Sequence, residues 1–302
     1  MTIPRIASYP MPRPDVLPPA RVDWRPDPAR AVLLLHDLQD YFLDFYDRAQ
    51  APLPELLANV RRLRDACDAA GVPVVYTAQP PVQSAQQRGL LQAWWGPGVT
   101  ARPDRAAVVE ALAPRAFDTV LDKWRYSAFV SSDLRARMRE LGRDQLIVCG
   151  VYAHIGCQAT LCDAFMQDIQ PFMVGDAVAD FSLQEHRQAL DYVAARCGVV
   201  VAAASCIEAL SVGGRPPASL LALRAELAQV LELPLQSIAP DDNPFEAGLD
   251  SIRLMALLGR WTADGTPLGF VELAERESVA QWWELIASRR GESRQDDARR
   301  AA

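Results

Sequence analysis

The chain has 302 residues, half of them apolar, enough to bury a full core in one large domain and leave room for a small second one. Its formal net charge is −7, with 31 Lys and Arg against 38 Asp and Glu and no basic block, which excludes the electrostatic footprint of a nucleic-acid-binding surface. No stretch approaches the ~20 apolar residues of a membrane span, and six scattered cysteines without a Cys-x-x-Cys pair point to neither a disulfide framework nor a zinc site.

The first residues, MTIPRIASYPMPRPD, lack the apolar run of a signal peptide, so a cytoplasmic protein is expected. Residues 1–30 are rich in Pro and predict an extended arm wrapped on the surface. From Ala31 short apolar runs begin: AVLLLHD (31–37), PVVYTAQ (73–79), DTVLDK (118–123), QLIVCG (145–150), PFMVGD (171–176) and GVVVAA (198–203). They alternate with amphipathic stretches of helical period, which predicts an α/β fold, a doubly wound, mainly parallel sheet with helices on both faces.

The first domain is expected over 1–208. ALSVGGRPPAS (209–219), with Gly-Gly and Pro-Pro and no periodic apolar face, reads as a linker. A second unit over 220–290 follows: a helix over 220–233, the turn-rich loop DDNPFEAGLD (241–250), a helix over 251–264, and a last helix over 278–290. The tail 291–302 is expected to be frayed and disordered.

Mapping polar residues onto the predicted strands places Asp37 at the carboxyl end of the first, Gln79 beyond the second, Lys123 at the end of the third and the turn 151–157 after the fourth. Ligands of open α/β sheets bind outside these ends, so an acid, an amide, a cation and free backbone N–H groups converge on one crevice. Strand alternation turns His36 away from Asp37, as a satisfied core histidine. His154 lies in the turn itself with no assigned role. Three histidines, dispersed, are too few for a transition-metal centre, and no metal is expected.

Gly-Leu-Asp-Ser at 248–251, opening an apolar helix after an acidic loop, resembles the attachment site of acyl and peptidyl carrier proteins. The resemblance implies a small four-helix bundle with a covalent 4′-phosphopantetheine arm on Ser251. Leu254 and Met255 belong either to a docking face or to the core.

The segments HDLQDYF, YTAQP, WWGPG, KWRYSAF, GVYAHIGC and DAVADFS resemble the isochorismatase branch of the cysteine-hydrolase fold. Joined to a carrier domain, the arrangement is similar to the bifunctional isochorismatase and aryl carrier proteins of catechol siderophore synthesis. In the wider family Asp and Lys activate a cysteine in a turn of pattern G-V-x-x-x-x-C-V-x-x-T. Counting from Gly150 puts Gly156 at the nucleophile position, so Cys157 is expected to be a small buried residue.

By resemblance, Asp37, Lys123 and Gly156 form the catalytic set, with Gly156 letting substrate approach the backbone. Gln79, Arg88 and Tyr152 would contact the substrate's carboxylates and hydroxyl, and Trp95 and Phe42 would wall the pocket. From the residues alone, Arg88 and Trp95 are read almost as readily as a solvated cation and a packed aromatic.

The implied activity is hydrolysis of the isochorismate vinyl ether to pyruvate and 2,3-dihydro-2,3-dihydroxybenzoate, with Asp37 as general acid, and carriage of a 2,3-dihydroxybenzoyl thioester for nonribosomal peptide synthesis. The implied partners are a phosphopantetheinyl transferase, a 2,3-dihydroxybenzoate-AMP ligase, a synthetase condensation domain and a second copy in a homodimer. The rivals are a carrier and scaffold protein with an inactive hydrolase domain, disfavoured by intact Asp37 and Lys123, and a hydrolase of 2-amino-2-deoxyisochorismate, disfavoured by the fused carrier.

Overall fold

The computed structural model describes residues 3–211, 216–262 and 266–300. Each apolar run predicted as a strand is one: β1 (Ala31–His36), β2 (Val74–Ala78), β3 (Thr119–Asp122), β4 (Gln145–Val151), β5 (Gln170–Ala179) and β6 (Val199–Val201). The six strands pair in parallel, in the order β3-β2-β1-β4-β5-β6. β1 and β4 are buried at every position, as central parallel strands covered on both faces must be.

Between them lie α1 (Asp40–Leu43), α2 (Leu53–Ala69), α3 (Ala85–Arg88), α4 (Leu90–Trp95), α5 (Leu134–Glu140), α6 (Gln158–Met166), α7 (Leu183–Arg196) and α8 (Ala203–Ser211). Strand alternation sorts the core into two layers. Leu33 and Leu35 pack with α2 and α8 on one face, while Val32 and Leu34 pack with α5, α6 and α7 on the other. The N-terminal arm is largely irregular, and its Ile6, Tyr9 and Met11 plug into the first layer.

The chain order reverses between β1 and β4: from β1 the next two strands add on one side, and β4 returns to the other. The crevice above that switch point is where such sheets bind ligands.

Two boundaries differ from expectation. Leu210 packs in the first core layer and α8 runs to Ser211, so part of the segment read as linker is the end of a domain helix. Of the rest of that segment, 212–215 lie outside the described residues. The tail read as frayed continues the last helix through Arg300.

The second unit comprises α9 (Leu220–Leu231), α10 (Ser251–Trp261), α11 (Phe270–Ala274) and α12 (Val279–Arg300), closed around Leu223, Leu227, Leu254, Leu257, Trp261, Trp282 and Ile286. It rests on the amino-terminal edge of the sheet, away from the crevice. Arg260 Nη1 donates to Ala69 O at 3.3 Å, Ser219 Oγ to Glu140 O at 2.8 Å, and Glu226 lies 3.9 Å from Arg143.

Candidate active site

A cavity opens above the carboxyl ends of β1 and β4. It brings together Phe42, Gln79, Arg88, Trp95, Lys123, Tyr152 and Gly156 around Asp37. Asp37 is the residue after β1 and has φ +48°, a left-handed conformation that an aspartate tolerates better than most residues. Its Oδ1 accepts from Thr77 Oγ1 at 2.5 Å, and its Oδ2 lies 3.5 Å from Lys123 Nζ. Lys123, buried after β3, also donates to Arg125 O, and burial pulls its ammonium below the usual lysine range against the attraction of Asp37.

Arg88 is not a solvated cation. It is 4 % exposed, donating from Nε to Gly96 O at 2.5 Å and from Nη1 to Gln79 Oε1 at 3.2 Å. None of the ion pairs among the described residues involves it, and burial disfavours its charge. A buried fork of this kind, facing a cavity, has the geometry to pair with a carboxylate. Trp95 is half-buried, donating Nε1–H to Tyr126 Oη at 2.7 Å, with its ring edge-on to Phe181.

Tyr152 commits its hydroxyl proton to Phe42 O at 2.8 Å, so towards a substrate it presents ring and acceptor rather than a free donor. This narrows the role expected for it.

One expectation about the residues against the turn is corrected. His36 is buried and donates from Nδ1 to Val151 O at 2.9 Å, as a satisfied histidine should, but it also lines the cavity with Nδ1 3.8 Å from Asp37 Oδ2. Alternation fails because the positive φ of Asp37 ends the strand geometry between the two residues. Gly156 lines the cavity, and a Cβ there would lie 2.1 Å from His36 Cε1, so a side chain at this position meets the His36 ring.

Residues 153–157 form one turn of π-helix, a geometry frequent at functional sites. Cys157 closes it, fully buried in the α5–α7 layer, outside the cavity lining, and burial pushes its thiol well above the usual range. His154 turns out of the cavity and meets the buried Asp180, Nδ1 to Oδ1 at 2.5 Å. Burial works against its charge, but the bond and attraction of Asp180 prevail and raise its pKa.

Sequence reasoning missed Thr77 and Gln39. Thr77 lies two residues before Gln79, opposite His36 in the β1–β2 register, and the motif YTAQ held that signal. Gln39 is fully buried and ties the backbone of Gln79 to β1, accepting from Gln79 N at 2.7 Å and donating to Gln79 O at 2.9 Å.

In the second unit, Asp250 caps α10 by accepting from Arg253 N at 2.8 Å, which leaves Ser251, the first helical residue, exposed with its hydroxyl unused for capping. That free hydroxyl at a helix N-terminus fits a phosphodiester. Leu254 is core and Met255 is 58 % exposed, which separates the two readings of that pair. Among the described residues no group of three or more His, Cys, Asp or Glu is placed to hold a metal ion.

Comparison with known proteins matches residues 31–205 to the isochorismatase domain and residues 222–286 to the phosphopantetheine attachment site. An isochorismatase of Bacillus subtilis is 44 % identical over 96 % of this chain and 96 % of its own. Enterobactin synthase component B of Escherichia coli is 46 % identical over 95 % of this chain and 99 % of its own. A phenazine biosynthesis protein of Pseudomonas aeruginosa is 51 % identical over 68 % of this chain and 99 % of its own. With a matched domain over the cavity and a matched carrier around Ser251, the chain belongs to the isochorismatase family, as a hydrolase fused to a phosphopantetheine carrier domain.

Proposed function

We propose that the first unit hydrolyses isochorismate by general acid catalysis at Asp37, and that Ser251 carries the phosphopantetheine arm on which the aryl group is later held. The observation that carries the first half is the contact of Asp37 with Lys123 and Thr77 in a cavity lined by three cations, one carboxylate and no cysteine.

Isochorismate bears two carboxylates, which pair with Arg88 and Lys123. As general acid, Asp37 delivers a proton to the terminal enolpyruvyl carbon, and the alkene electron pair forms the C–H bond. The resulting oxocarbenium ion is trapped by water, whose surplus proton returns to Asp37. As the hemiketal C–O bond to the ring breaks, the hemiketal hydroxyl proton is transferred to the departing oxygen, giving pyruvate and the ring hydroxyl of 2,3-dihydro-2,3-dihydroxybenzoate. General acid catalysis contributes about 10² to 10⁴-fold, and orientation by the cations and the aromatic walls adds the rest.

The arm, once attached, supplies a terminal thiol for an aryl thioester. The chain's own part is an exposed hydroxyl at a terminus whose dipole favours negative charge. Ile252 and Met255, exposed and three residues apart on α10, give the partner enzymes an apolar face beside it. Those partners are a phosphopantetheinyl transferase, a 2,3-dihydroxybenzoate-AMP ligase and a condensation domain. A cytoplasmic location accords with six free thiols. A homodimer completes the proposal and is checked by light scattering.

The identity to the phenazine protein over the hydrolase unit alone favours a second reading, hydrolysis of 2-amino-2-deoxyisochorismate. The fused carrier decides against it, because an amino product needs no tethered aryl group. Comparing kcat/KM for the two substrates tests the choice: isochorismate is preferred by at least about tenfold, within the reach of one discriminating polar contact. The reverse preference assigns the chain to the amino substrate.

A further inference from the structure

His36 sits between two glycines. At Gly150, its pairing partner on β4 with φ +116°, an added Cβ would lie 2.2 Å from His36 O; at Gly156 it would lie 2.1 Å from His36 Cε1 and 2.7 Å from Nε2. Strand end and π turn close around this one residue, one against its backbone and the other against its ring. The ring cannot swing aside, being fully buried, held by Val151 O at 2.9 Å, with Nε2 against Tyr126 O at 3.4 Å. The β4–β5 register shifts between Val148 and Gly150 beside it, a local distortion of the kind that re-aims side chains near sites.

We propose that His36 is a positioning and specificity-determining residue of the hydrolysis: its ring occupies the only space a side chain at position 156 has, fixes the 151–156 turn beneath the substrate, and thereby excludes a side-chain nucleophile from the site. The inference rests on the hydrolase reading but has a readout independent of it. Val151 O needs a donor, which His36 Nδ1–H supplies, and burial keeps the ring below the usual imidazole range, so it holds the turn without adding a cation beside Asp37.

The wedge makes an unusual prediction about a pair of substitutions. Gly156→Ala, alone, forces a methyl into the ring and lowers both the melting temperature and kcat/KM, the latter by about 100-fold or more, as overpacking at a rigid site does. Adding His36→Ala removes the obstacle. The double variant regains at least about tenfold in kcat/KM and part of the melting temperature relative to Gly156→Ala, although His36→Ala is harmful in the wild-type background. His36→Asn, whose amide nitrogen takes the place of Nδ1 towards Val151 O, keeps KM and holds kcat within about fivefold.

Full-length wild type, the four variants and the melting temperature of each are measured together with pyruvate release from isochorismate. If Gly156→Ala behaves as wild type, or if His36→Ala worsens it, the wedge is wrong. If wild type releases no pyruvate, the hydrolase reading falls, and the sign of the melting-temperature coupling still decides the wedge. A His36→Asn variant as damaged as His36→Ala overturns the positioning role.

Discussion

Asp37 and Thr77 bond each other twice: the backbone N–H of Asp37 donates to Thr77 Oγ1 at 3.1 Å, and that hydroxyl donates to Asp37 Oδ1 at 2.5 Å. The pair locks a carboxyl on a residue of positive φ in one orientation, with Oδ2 left for Lys123 and the cavity. A threonine on the neighbouring strand therefore aims the Asp37 carboxyl.

Thr77→Val removes this bond while keeping the shape. It lowers kcat by about tenfold to a hundredfold, the range of one hydrogen bond to a charged group at ~1.5–3 kcal/mol. Steady-state kinetics beside a melting curve checks it, and wild-type kcat in a folded Thr77→Val protein would remove Thr77 from the site.

Arg88 is buried and, among the described residues, pairs with no carboxylate. Arg88→Met raises KM by about 100-fold and Arg88→Lys, which keeps charge but loses the fork, by about tenfold, with smaller changes in kcat. A fall in kcat at constant KM would instead mean that Arg88 serves the proton transfer.

His154 and Asp180 give stability a pH signature. The pKa of His154 is raised in the folded chain, so its contribution is complete below the unfolded value of about 6.5 and is lost as pH rises through the folded value. In urea unfolding, wild type therefore exceeds His154→Gln by more at pH 5.5 than at pH 8.5. An equal gap at both pH values contradicts the pairing of a charged His154 with Asp180.

Ser251→Ala separates the two units. The variant gains no phosphopantetheine mass when incubated with coenzyme A and a phosphopantetheinyl transferase, yet releases pyruvate at the wild-type rate, because the carrier docks on the edge of the sheet opposite the cavity. Mass gain on the variant would move the attachment site away from Ser251.

The six strands were legible because central parallel strands are continuous apolar runs, and their carboxyl ends carried Asp37, Gln79 and Lys123 into one cavity. His36 was misplaced because period-2 alternation holds only while the backbone stays extended, and nothing in HDLQ announces the positive φ of Asp37. Arg88 illustrates the opposite difficulty: an arginine in a polar segment reads as solvated, whereas its burial depends on how residues 96–98, eight to ten positions on, wrap back over it. Ser219, Glu226 and Arg260 are plain surface types whose contacts with the first unit come only from docking. The last helix overran its expected end because a tail of mixed charges lacks an apolar face yet still propagates a helix already begun.

The most direct measurement is pyruvate release from purified isochorismate, coupled to lactate dehydrogenase, for wild type, Asp37→Ala and Cys157→Ala. The expected result is turnover by wild type and Cys157→Ala, and a loss of about 10² to 10⁴-fold or more in Asp37→Ala, the share of a general acid. Loss of turnover in a folded Cys157→Ala protein, with Asp37→Ala still active, would contradict an acid-catalysed hydrolysis at Asp37.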